Sequence, residues 1–247
     1  MQEDGTITTE NLNTELKKNF DNDNEVEEVT GGWLYIATKS YTIHQDGNVE
    51  EGENYLPNEY KTLKYIEGTG SQYINTGIKA NDHPNIIVEI EGSYTNSQSS
   101  QFIFGAGKSS KDFKSWILMG QTSTLGIIGQ IGRDNSEQKI IDFDTDKHLF
   151  KLDTSSNKVS VDSKEVEMAA NGEGTISLTY CLFAINNGGT IMKKAKFKMY
   201  SCKITKNGES ILNLVPCLDE NNVPCMYDLV SKKCFYNNGT GAFGYEQ

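Results

Sequence analysis

From Tyr60 onward, short apolar runs recur every eight to fifteen residues, and no stretch keeps helical periodicity for long. The runs fall at 86–90, 101–104, 116–119, 126–131, 139–143, 148–152, 158–161, 176–179, 182–185, 196–204, 211–215 and 226–230, with polar, Gly- and Ser-rich turns between them. Strands this short, each turning alternate side chains inward, predict an antiparallel β-sandwich or jelly roll in which two sheets bury one core. A dozen of them is ample for such a core. The expected class is mainly β.

The two ends of this region echo each other. Leu63-Lys-Tyr-Ile-Glu-Gly-Thr-Gly-Ser-Gln-Tyr-Ile-Asn-Thr-Gly77 reads as a strand at 63–66, a tight turn on Gly68-Thr-Gly70 and a second strand at 72–75. Phe235-Tyr-Asn-Asn-Gly-Thr-Gly-Ala-Phe243 repeats the aromatic, Gly-Thr-Gly, aromatic order. Matching elements at both ends predict a sheet closed by its own termini.

Charge divides the chain. Residues 1–59 carry 14 Asp and Glu against three Lys, which accounts for the whole net charge of −11. A break of that size predicts a domain boundary near residue 59, with a small acidic α+β module and linker over 1–55 and the β domain over 56–247. Neither part offers the basic face that phosphate contacts need, so nucleic acid is excluded as a partner. Within the module, Leu12, Leu16 and Phe20 form one apolar stripe on a helix from about Thr9 to Phe20, capped by Thr8 or Thr9. Strands follow at 33–38 and 40–43, with a hairpin-type turn at Gln45-Asp-Gly-Asn48 and a linker over 49–58. No apolar run is long enough to cross a bilayer, and polar residues rather than a signal peptide follow Met1.

The residues that could carry chemistry are few. Phe104-Gly-Ala-Gly-Lys-Ser109 holds the Gly-Lys-Ser of a phosphate loop, but Phe102 stands where the first glycine is needed, so a turn between strands is expected. Glu89 and Glu91 share one face of a strand, as an acid and a nucleophile would, but exposed strand carboxylates are the expected reading. Asp142, Asp144 and Asp146 alternate and could gather around calcium, yet Lys147 and Asp153 occupy the glycine and glutamate positions of an EF-hand. A solvated edge is the default, and no metal or other cofactor is assigned. His44, His83 and His148 lie in no zinc or catalytic spacing. Asn238-Gly-Thr240 matches a glycosylation acceptor inside the closing turn. Trp33, Trp116, Tyr94 and Tyr180 could stack on sugar rings, with core or sheet surface as the alternative. Five cysteines lie in the last third. Cys217 and Cys225 flank Asp219-Glu-Asn-Asn222 and each follows a proline, so a local disulfide or a pair of free buried thiols are both open; an odd count leaves at least one thiol unpaired within the chain.

The stretch 63–77, with Phe102-Ile-Phe-Gly105, Met199-Tyr-Ser-Cys-Lys-Ile204, Leu214-Val-Pro-Cys217, Met226-Tyr-Asp-Leu-Val230 and the closing 236–243, resembles the laminin-G/concanavalin A-like domains of bacterial surface and phage proteins. The resemblance covers about 56–245 and implies a jelly roll used to bind glycans or proteins at surfaces. Jelly-roll glycoside hydrolases carry Glu-x-Asp-x-x-Glu, whereas Tyr94 holds the third acid position here, so no enzyme is expected. The first 55 residues are similar to the soluble part of type IV pilin-like proteins, through a Tyr-x-Ile-x-x-x-Gly ending at Tyr41-Thr-Ile-His-Gln-Asp-Gly47. Such proteins carry an apolar helix upstream, which would supply membrane anchoring through a segment absent from this chain. The expectation is a non-catalytic, extracellular adhesion or binding protein with a glycan or surface-protein ligand. A phage receptor-binding protein is the alternative, and a polysaccharide-active enzyme a more distant one.

Overall fold

The computed structural model describes residues 6–7, 29–30, 33–36, 39–43, 49–51, 56–57, 59–80, 85–97, 100–108, 114–119, 126–132, 138–168 and 177–247. The chain divides into two compact units, Met1–Asn58 and Glu59–Gln247.

Apart from Leu56 and Pro57, the described part of the first unit is strand: β1 (Thr6–Ile7), β2 (Val29–Thr30), β3 (Trp33–Ile36), β4 (Lys39–Ile43) and β5 (Val49–Glu51). β1 pairs with β2, and β3-β4-β5 forms a second antiparallel sheet. The expected helix and the Asp-Gly turn lie outside the described residues. Val49–Glu51 is a strand rather than linker, because Ile43 opposite Val49 extends the β4 ladder across the turn.

The second unit begins with β6 (Lys61–Thr62), β7 (Tyr65–Thr69), β8 (Ile74–Lys79), β9 (Ile86–Tyr94), β10 (Phe102–Gly107) and β11 (Lys114–Met119). It continues through β12 (Gly126–Gly132), β13 (Gln138–Asp142), β14 (His148–Asp153), β15 (Lys158–Val161), β16 (Lys164–Glu167) and β17 (Thr179–Leu182). The last strands are β18 (Ile185–Asn187), β19 (Thr190–Met192), β20 (Lys196–Lys206), β21 (Glu209–Leu218), β22 (Pro224–Asp228), β23 (Lys233–Phe235) and β24 (Gly244–Glu246). One sheet runs β16-β15-β14-β9-β20-β21-β22-β23, with β7 beside β20, β24 beside β7 and β6 beside β21. The other runs β13-β12-β11-β10-β17-β8, with the β18-β19 hairpin joined to β10 by a parallel ladder. Every other ladder of this unit is antiparallel.

Alternation explains the core. Ile86, Val88 and Ile90 of β9 point inward with Phe150 and Leu152 of β14, and they meet Ile103, Phe104, Ile127 and Leu182 of the other sheet in one buried cluster. Each such side chain contributes roughly 1.5–3 kcal/mol. Two sheets sharing one apolar interior are consistent with a β-sandwich. Where Gly129 of β12 faces Val159 of β15 the sheets leave no room for a side chain, since a Cβ there would lie 2.6 Å from the valine.

The termini close the sheet as expected. β24 pairs with β7, and Phe243 sinks into the core with its ring 5.0 Å from that of Phe183. Gly68, however, is a strand residue rather than part of the turn. It is the bare position over which Phe183 lies, since a Cβ there would meet Phe183 Cδ1 at 2.7 Å. The chain turns instead at Gly70, where φ is +97°. Residues 104–107 likewise are strand, not turn: β10 is buried along its whole length between β11, β17 and β18.

Candidate functional site

The outward face of the first sheet carries a cluster of rings and cations. Ile66 of β7 is core, so Tyr65, its neighbour along the strand, takes the opposite face. In β20 an extra residue sits between Met199, opposite Gly92, and Ser201, opposite Glu91. That bulge keeps Met199 and Cys202 in the core while turning both Tyr200 and Ser201 toward the other side. Tyr200 meets Tyr65 edge-on at 5.4 Å. Lys147 Nζ lies 4.6 Å from the Tyr200 ring centre and Lys198 Nζ 4.4 Å from that of Tyr65. Each is placed for a cation–π contact.

Glu89 and Glu91 belong to the same face. Lys151 Nζ lies 3.6 Å from Glu89, directly across the β14–β9 ladder, and Lys147, just before β14, places its Nζ 2.6 Å from Glu91. The two carboxylates are thus each paired with a lysine.

The aspartate trio is split. Asp142 pairs with Lys139, whereas Asp144 accepts the Asp146 backbone N–H at 2.9 Å and contacts His148 Nε2 at 2.7 Å. His148 Nδ1 lies 2.6 Å from Asp162, across the β14–β15 hairpin, so one imidazole is held between two carboxylates. Burial works against its charge, but the hydrogen bonds to Asp162 and Asp144 outweigh it and raise the imidazole above its ordinary range. The signal missed in the sequence was Asp144, one helical turn's spacing before His148; Asp162 needed the hairpin register.

Tyr94 and Tyr180 are not available to sugars. Both are core residues, Tyr94 among Phe143, Phe150 and Phe197 and Tyr180 stacked on Phe104 at 4.7 Å. Each falls on the inward phase of its strand. Trp33 and Trp116 lie on β3 and β11, and their side chains, like His44 and His83, lie outside the described set. Asn238 uses its side-chain oxygen to accept the Asn75 N–H at 2.8 Å, as part of the terminal clasp.

Three of the five cysteines converge. Cys217 and Cys225 are directly opposed on β21 and β22, with Sγ atoms 3.4 Å apart as thiols, and Cys234 on β23 lies opposite Tyr227. All three sulfurs lie within 4.8 Å of one another, the one such group of three metal-ligating side chains among the described residues. The Tyr60 ring packs 5.4 Å from that of Tyr227, and Tyr236 donates its hydroxyl to Asp219 at 2.9 Å. The Cys217 and Cys225 thiols and the Tyr60 phenol surround Cys234 as donors, while Tyr236, whose single hydroxyl proton goes to Asp219, stands beside it. Those bonds pull it down to about 3 against the opposing effect of burial. Tyr60 in turn is pushed up to about 12, first by its bond to Cys234 and then by that sulfur's charge. Cys225 is raised by its bonds to Cys217 and Cys234 and by burial. Cys181 is separate, buried and pushed up to about 12 by desolvation.

No helix among the described residues is long and apolar enough to cross a membrane. No protein-family model matches this chain, and no curated protein matches it.

Proposed function

We propose that the second unit is a non-catalytic recognition module of the concanavalin A/laminin-G jelly-roll kind, displayed at a cell surface or on a pilus-associated protein and binding glycan or protein ligands. The observation that carries this reading is the outward ring pair Tyr65–Tyr200 with Lys147 and Lys198 over the rings. Tyr65 is buried beneath this face, so the partly exposed Tyr200 is the ring that offers apolar contact to pyranose C–H groups, with cations and carboxylates as hydrogen-bonding partners around its edge. Ion pairing of Glu89 and Glu91 with lysines supports recognition over hydrolysis, because a glycosidase needs one carboxyl group free to protonate the leaving oxygen. The acidic first unit would form the base that positions the module.

A glycan array probed with the full chain, in the presence and absence of chelator, tests the reading. Binding that survives chelation and falls at least tenfold in Tyr200→Ala is expected. Release of reducing ends from a polysaccharide panel, or glycan binding that Tyr200→Ala leaves untouched, would overturn it.

A further inference from the structure

We infer that Cys217, Cys225 and Cys234 form a three-thiolate site for one thiophilic d10 cation, zinc(II) or copper(I). The geometry is already near what such an ion requires. Metal–sulfur bonds of about 2.3 Å demand sulfur–sulfur separations of about 3.8 Å in a tetrahedral site and about 4.0 Å in a trigonal one. Cys217 and Cys225 are 3.4 Å apart and no pair of the three exceeds 4.8 Å, so small side-chain adjustments reach those values.

The scaffold is suited to holding them there. The three residues come from successive strands of one meander, β21-β22-β23, so the ladder that registers Cys217 against Cys225 and Tyr227 against Cys234 also fixes the spacing of the sulfurs. Cys217 and Cys225 are buried while Cys234 is partly exposed, which leaves a way in on the Cys234 side.

Around the sulfurs stands a shell of donors. Tyr60 directs its phenolic hydroxyl at Cys234, and Tyr236 stands beside it with its own hydroxyl donated to Asp219. Donors of this kind offset the excess negative charge of three thiolates on a cation of low charge, and such outer partners commonly set metal affinity. Asp219 is itself tied down by the Asn221 and Val223 N–H groups at 2.9 and 2.8 Å, so Tyr236 is anchored to a rigid turn. Zinc(II) would complete a tetrahedral site with a solvent ligand on the open side; copper(I) is satisfied by the three sulfurs alone. Binding forms three metal–sulfur bonds and releases the thiol protons to solvent, so affinity falls as pH is lowered.

The test uses the full chain, reduced and kept anaerobic, titrated separately with zinc(II) and copper(I) against competing chromophoric chelators, and with cobalt(II) as a spectroscopic probe. One equivalent of zinc(II), with intense cobalt–thiolate absorption, supports the tetrahedral form. One equivalent of copper(I) without that absorption supports the trigonal form. Cys234→Ser should lose stoichiometric binding, Tyr60→Phe should weaken it about 10–100-fold, and Cys181→Ser should leave it unchanged. If Cys234→Ser unfolds, Cys234→Ala with thermal unfolding followed in parallel keeps the comparison valid. The proposal is overturned if the reduced chain binds neither cation at one equivalent, or if the triple Cys217→Ser, Cys225→Ser, Cys234→Ser variant binds as tightly as the parent. It is overturned equally if the protein isolated without reductant carries a Cys217–Cys225 disulfide, which would consume two of the three ligands.

Discussion

Gly239 lies against the Ser71 carbonyl so closely that a Cβ on it would sit 2.2 Å from that oxygen. The contact belongs to a clasp between the two Gly-Thr-Gly stretches. Asn238 and Thr240 donate their N–H groups to Tyr73 and Ser71 at 2.8 and 3.3 Å, and Gln72 donates to the Ala242 carbonyl at 2.9 Å. Because the obstacle is backbone, no side-chain rotation relieves it. Gly239→Ala should therefore destabilise the second unit by about 3 kcal/mol, read as a lower urea midpoint at unchanged slope. A midpoint within error of the parent would show that the clasp is not closed in solution.

Gly92 makes the same argument inside the core. A Cβ there would fall 2.1 Å from Phe197 Cζ and 2.6 Å from the Lys198 carbonyl oxygen, at the position the Phe197 ring fills. Gly92→Ala should cost about 3 kcal/mol. Gly189, at φ +93° with nothing within 4 Å of its Cβ, is the contrast: Gly189→Ala carries only backbone strain, about 1–2 kcal/mol. Thermal unfolding of the two variants side by side checks the ranking, and equal losses would mean that the ring has room to move.

How far the sequence disclosed this depends on what each feature needs. Closure by the termini was legible because both partners carry the same Gly-Thr-Gly punctuation. Strands with an inward apolar phase were legible too, from β9 to β15 and at β20 and β21, whereas β17 and β18 overlap the runs at 176–179 and 182–185 only at their ends and β19 was not read. β16 was not, because Lys164-Glu-Val-Glu167 is an exposed polar edge strand whose only apolar residue is Val166. Gly68 misled because a glycine between strands reads as a turn, whereas here it makes room for Phe183. The thiol cluster requires register: Cys217 and Cys225 looked like a local pair, but nothing local tells that β23 returns Cys234 to the same spot.

Asp228 is buried and ties the β22–β23 turn to β21. Its carboxylate accepts N–H groups from Asn213, Val230 and Ser231 at 2.8, 3.2 and 2.9 Å. Asp228→Ala removes the acceptor of three part-buried N–H groups and should cost about 2 kcal/mol; Asp228→Asn keeps an acceptor and should cost about half of that. Denaturant melts of both variants would show the order, and a harmless alanine would mean that water replaces the carboxylate.

The charge break and the two compact units lead to a further expectation. The segment Glu59–Gln247 contains the whole buried cluster and both ends of the clasp, so it should fold alone in one cooperative transition. Coincident near- and far-ultraviolet circular dichroism melts of that segment check this. Loss of tertiary signal ahead of secondary structure would mean that residues 1–58 complete its core.

His148 gives the second unit a pH dependence whose sign is fixed by its neighbours. Burial opposes the charged imidazole, but the Asp162 and Asp144 hydrogen bonds and charges raise its folded pKa above the ordinary 6.5. Its stabilisation is therefore complete below that value and is lost as pH rises through the raised one. Asp162 runs the other way. Burial would raise its carboxyl, but the Leu149 N–H and His148 hold it below the usual 3.8, so its contribution is present above that value and fades as pH falls through the lowered one. The pair thus stabilises most between the ordinary aspartate and histidine ranges. Both carboxylates are half-exposed and screened by solvent, which limits the effect to about 1 kcal/mol. Urea melts of the parent and His148→Gln should differ by about that much near pH 5.5 and converge above the folded histidine pKa. A difference that stays constant from about pH 5 to pH 9 would mean that the imidazole serves only as a neutral hydrogen-bond partner between the β13–β14 loop and the β15 turn.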